Sequence, residues 1–87
     1  MKKEHKDNLT TLKKSLEDMV PMLEQVVTDL QEIAGDMEKE CEQKSEDWQE
    51  SDEGEAFNNE IEQVGMLRDS VSIVMDDLES VIDNIDV

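Results

Sequence analysis

Asp47-Trp48-Gln49-Glu50-Ser51-Asp52-Glu53-Gly54-Glu55 holds one apolar residue, Trp48, and separates two long segments in which apolar residues recur regularly. Asp52 followed three residues later by Glu55 has the spacing of a capping box. That arrangement satisfies the first free N–H groups of a helix, and it predicts a helix opening near residue 53. Upstream, Leu9, Leu12, Leu16, Met19, Leu23, Val26, Leu30, Ile33 and Met37 follow one another at alternating steps of three and four. That is the seam of a helix packed along its length, with Val20, Val27, Ala34 and Cys41 widening it. Downstream, the seam reads Phe57, Ile61, Val64, Leu67, Val71, Val74, Leu78, Val81 and Ile85, widened by Met75 and Ile82.

These patterns predict an all-α chain in one domain, residues 1–87. A tail covers 1–7, a first helix 8–45 with Asn8 as its cap, an acidic turn 46–52 and a second helix 53–86. Two long helices joined by a short polar segment make an antiparallel hairpin, with residues near 37–41 facing those near 57–64. Pro21 lies at an outward position and removes one backbone hydrogen bond. The seam keeps its phase across it, so a kinked helix is expected rather than two separate ones. A two-helix hairpin has a thin core, which makes dimerisation into a four-helix bundle, or docking on a partner, an expectation from size alone.

Charge narrows the function. Twenty-five acidic residues against eight basic ones give −17. Residues 1–14 carry a local +3 and residues 15–87 carry −20, while Ser45 to Glu62 holds eight acids and no base. Such a chain repels nucleic acid and anionic membrane and attracts basic proteins. Residues 15–46 as helix would span about 48 Å, so −20 along it approaches the linear charge density of duplex DNA. Like charges repeat on helical rows, as in Glu32–Asp36–Glu40 and Glu38–Glu42–Glu46, where mixed signs would have stabilised the helix. Asp76, Asp83 and Asp86 lie near a helix C-terminus, where negative charge is unfavourable.

Catalysis is not expected. His5 is the only histidine and Cys41 the only cysteine, so neither a nucleophile–base pair nor a zinc site can be assembled. Gly54 as the sixth position of a calcium loop would put Gln49 first, where an Asp is needed. No cofactor is expected. The lone cysteine and the absence of an apolar run after the basic start suggest a soluble, cytoplasmic protein.

Three resemblances bear on origin and role. Trp48-Gln49-Glu50-Ser51-Asp52-Glu53-Gly54-Glu55-Ala56 resembles the joining segment of small acidic helical proteins encoded by bacteriophages, which have a Leu/Trp-Gln-x-Ser-x-x-Gly-Glu-like turn. This covers the turn and the following helix and implies a phage origin; that group has no common assigned function. Secreted WXG-type hairpins are similar in size, but Trp48 is followed by Gln49-Glu50, and the glycine they require is missing. In strategy the chain resembles phage inhibitors of uracil-DNA glycosylase. Those are small acidic DNA mimics, some with a Gln-Glu-Ser-Ile segment, to be set against Gln49-Glu50-Ser51 and Glu79-Ser80-Val81-Ile82 here. The well-known members have a sheet that this sequence does not provide.

The expected function is therefore a DNA-mimic inhibitor that occupies the basic groove of a host repair or defence enzyme, with uracil-DNA glycosylase the most specific target. The expected partner surface consists of Glu50, Ser51, Asp52, Glu53 and Glu55 at the tip. It extends along Glu38, Glu42 and Glu46 and takes in Glu79 and Asp83 from the second helix. Trp48, Met66 or Ile73 would supply apolar contacts. The competing expectations are a structural coiled-coil module and an antitoxin-like or chaperone-like acidic partner of one basic protein.

Overall fold

The computed structural model describes all 87 residues and forms three helices with no strand: α1 (Lys3–Glu42), α2 (Glu46–Glu50) and α3 (Asp52–Asn84). The helices form a rod with extents of 69 × 15 × 13 Å. Lys13 Nζ donates to the Ile85 carbonyl at 3.1 Å, and Cys41 Sγ lies 3.7 Å from Asn58 Oδ1. Those two contacts fix an antiparallel pairing of α1 with α3, in the register that the two seams predict.

Several boundaries differ from the sequence reading. α1 begins at Lys3, so residues 3–7 extend the helix where a tail was expected, and Asn8 lies inside it. The acidic turn is not an open loop. Ser45 caps the short helix α2 by accepting the Trp48 N–H at 3.2 Å, with Glu46 and Asp47 in its first turn. Ser51, not Asp52, caps α3, accepting the Gly54 N–H at 3.2 Å. Serine and aspartate cap helices comparably, and Ser51 also closes α2, so one residue ends one helix and opens the next. α1 passes through Pro21 as one unbroken helix, with the proline exposed.

The seams also divide differently. On α1 the sheltered residues are Leu9, Lys13, Leu16, Val20, Leu23, Val27, Leu30, Ala34, Met37 and Cys41. On α3 they include Phe57, Ile61, Val64, Arg68, Val71, Met75, Leu78 and Ile82, with Ile85 just past its end. The residues read as widening each seam thus lie between the helices, while Leu12, Met19, Val26 and Ile33, with Leu67, Val74 and Val81, remain exposed. One neighbour shelters only a narrow strip of each helix, so three apolar rows cannot all be covered. Ala34 is the only buried hydrophobic residue, and no large side chain is fully buried.

Candidate functional site

The tip is the most specifically built part of the rod. Trp48 is half-buried, its ring edge-on to Phe57 at 5.7 Å between centroids, with Lys44 Nζ 5.5 Å from its centre. The indole N–H donates to the Glu53 carboxylate at 3.2 Å. Gln49 Nε2 donates to the carbonyls of Cys41 (2.9 Å), which also accepts the Lys44 N–H (3.1 Å), and of Lys44 (3.0 Å), tying α2 to the end of α1. The Ser51 hydroxyl donates to the Trp48 carbonyl while accepting from Gly54. Gly54 is buried, and a Cβ there would stand 2.5 Å from the Gln49 carbonyl oxygen and closer still to that of Trp48. Only glycine lets α3 start this close to α2.

Against that frame the expected partner residues take different places. Glu46 and Glu50 lie on α2, and Asp52, Glu53 and Glu55 in the first turn of α3; all five are exposed. At a helix N-terminus negative charge is favourable, so Glu46, Asp52, Glu53 and Glu55 also stabilise the local fold. Glu53 is held by Trp48, and Ser51 is engaged in the turn, so these two are committed internally. Glu38 and Glu42 continue from the tip along α1, both exposed. Glu79 and Asp83 are exposed on α3 but stand about 40 Å from the tip at 1.5 Å per residue. The eleven residues therefore do not converge on one point.

What the rod does bring together is a face. By helical phase, Glu17, Glu24, Glu38 and Glu42 of α1 share one broad side with Glu62, Asp69, Asp76, Glu79 and Asp83 of α3. Arg68–Asp69, at 3.1 Å, is the one ion pair in the chain. Across the full 69 Å, a net 17 charges amount to one per about 4 Å, sparser than the roughly 1.7 Å of duplex DNA. The basic start accounts for part of the dilution, since −20 over the remaining length of about 48 Å is one charge per about 2.4 Å. At the open end Lys13 supplies the cation that α3 lacks in its own last turn, which offsets Asp83 and Asp86 there.

The opposite broad side carries Leu12, Met19, Val26 and Ile33 beside Leu67, Val74 and Val81. An all-apolar groove lined by Met19, Met22, Leu23, Val74 and Leu78 joins the two helices at its middle. The sequence reading placed all of these but Met22 in a core and not on a separate exposed stripe. Their seven-residue spacing on both helices was the available signal. Met66 and Ile73, expected as apolar contacts, are exposed at 67% and 61%. No group of three or more His, Cys, Asp or Glu side chains is placed to hold a metal ion, and no helix is long and apolar enough to cross a membrane. Neither the protein families, nor the curated proteins, nor the solved structures with which this chain was compared contain a match to it.

Proposed function

We propose that the protein is a phage-type DNA mimic, an acidic helical rod that blocks the basic DNA groove of a host repair or defence enzyme. The observation that carries this reading is the unneutralised charge: 25 acidic side chains with a single ion pair among them, concentrated at the tip and on one broad side. Ordinary surface helices alternate sign and gain stability from it. Glu50, Asp52 and Glu55 would stand for phosphates at the leading end, Glu38, Glu42 and Glu46 would extend the track, and Glu79 and Asp83 would reach a second strip of the groove. A bend at Pro21, where the helix lacks one hydrogen bond, would let the rod follow a curved groove.

Uracil-DNA glycosylase is the first target to assay. Inhibition of uracil excision that weakens steeply as salt rises supports the reading, because exposed charges are screened over about 8–10 Å at ordinary ionic strength. Capture from bacterial lysate extends the assay to other DNA-binding enzymes. Retention indifferent to salt, or of proteins with no basic groove, would sink the mimicry. A structural assembly module is the second reading, favoured by the exposed apolar rows, and it predicts no affinity for such enzymes.

A further inference from the structure

The apolar side of the rod is too large and too ordered to be incidental. Leu12 is 58% exposed, Met22 68% and Leu67 57%, and with Met19, Val26, Ile33, Val74 and Val81 they leave on the order of 700 Å² of side chain in water. A monomer's largest apolar patch is usually about 300–600 Å², whereas a standard interface covers about 800 Å² per partner. We propose that a second copy of this chain covers this side, packed face to face with the two tips at opposite ends, giving an antiparallel four-helix bundle.

Three observations select a second copy in that orientation. First, the exposed rows repeat every seven residues on both helices, the repeat with which helices of a bundle interlock. Second, the face is self-complementary. The apolar stretch on α1, Leu12 to Ile33, and that on α3, Leu67 to Val81, are both centred at the groove where Met19, Met22 and Leu23 meet Val74 and Leu78. A two-fold axis through that groove sets Leu12 against Ile33, Met19 against Val26 and Leu67 against Val81 of the other copy, the isologous arrangement of a symmetric dimer. It also brings the two Met22 side chains together at the centre. Third, charge fixes the direction. The only acids on the two rows are Glu40, Glu53 and Glu60, all at the tip end, with Asp29, Asp36 and Asp77 flanking the rows, and the tip's eight acids lie at the opposite pole from the +3 of residues 1–14. Opposed tips place each basic start beside the other copy's acids; aligned tips would crowd sixteen acids, eight from each copy, into one place. The acidic side stays outward in this dimer, so the proposal stands or falls separately from the mimicry.

Sedimentation velocity on the full chain, followed by pulsed dipolar spectroscopy, tests it. The expected mass is twice the 10.0 kDa of one chain. In Cys41→Ser/Gln43→Cys, spin-labelled at the new thiol, opposed tips predict a distance of about 60 Å at 1.5 Å per residue. Aligned tips predict less than about 25 Å, since packed helices lie 8–10 Å apart. Met19→Glu/Val74→Glu, at two positions exposed in the single hairpin, is expected to weaken association at least tenfold. If that variant loses its helical signal, the wild-type mass and the label distance still decide. A single-chain mass up to high micromolar concentration overturns the proposal. So does a dimer with the short distance, a dimer unaffected by the double substitution, or a chain that associates only with lipid vesicles or another protein.

Discussion

At the tip, Ser45, Trp48, Gln49, Ser51, Glu53 and Gly54 each hold a specific partner, down to a carbonyl that leaves no room for a Cβ. Along the shaft, α1 and α3 meet through half-sheltered Leu, Val, Ile and Met, and Gly35 has nothing within 4 Å of where a Cβ would be. The tip needs one geometry, because two helices must end and begin within a few residues of each other. The shaft needs only a repeat. Specificity in this chain is therefore local and directional at one end and generic elsewhere, and substitutions should divide along the same line.

Gly54→Val tests the contrast most severely. The added side chain must displace the Trp48 and Gln49 carbonyls, and we expect a loss of about 3 kcal/mol or more in urea unfolding followed by circular dichroism. A loss below about 1 kcal/mol would mean that the α2–α3 junction yields easily. Trp48→Ala removes the Phe57 edge contact and the bond to Glu53, and about 2 kcal/mol is expected, less than for a fully buried tryptophan. The near-ultraviolet signal of the one tryptophan in the Glu53→Gln variant would show whether that bond orients the ring. Ser51→Ala loses the cap of α3 and should cost about 1 kcal/mol, with faster amide exchange confined to Asp52–Glu55. Gly35→Ala should move the other way, raising the midpoint by a stabilisation of up to about 1 kcal/mol, because a helix interior favours alanine and the space is open. Protein concentration must be equal in each comparison, since association shifts apparent stability.

The same division explains what could be read from sequence. Two helices, their antiparallel register and the polar break between them follow from periodicity and from the lone Trp48 in an acidic run. Which apolar rows turn inward does not follow. Leu12 and Val20 stand on rows that flank the Leu16 row on either side, and the number and direction of neighbours, not hydrophobicity, decides between them. Arg68 lies between the helices at a position where Leu67 was expected, since a long aliphatic stem can lie along a seam while its guanidinium reaches Asp69. Asp52 and Ser51 are both good caps, one residue apart, and the choice rests on the hydroxyl's second bond to Trp48. Exposed acids were legible as a group. That Glu53 is held by an indole N–H while Glu50 is free was not, because it depends on where one ring points.

The Lys13–Ile85 hydrogen bond has a kinetic meaning. It joins residues 72 apart, whereas Cys41 and Asn58 near the tip are only 17 apart. Closing the larger loop first would cost about 1 kcal/mol more in chain entropy than closing the smaller one. Folding is thereby directed to start at α2 and zip outward, each contact shortening the loop that the next must close. The clasp at Lys13 forms last and opens first, so it marks where the rod frays and not the unfolding of the whole.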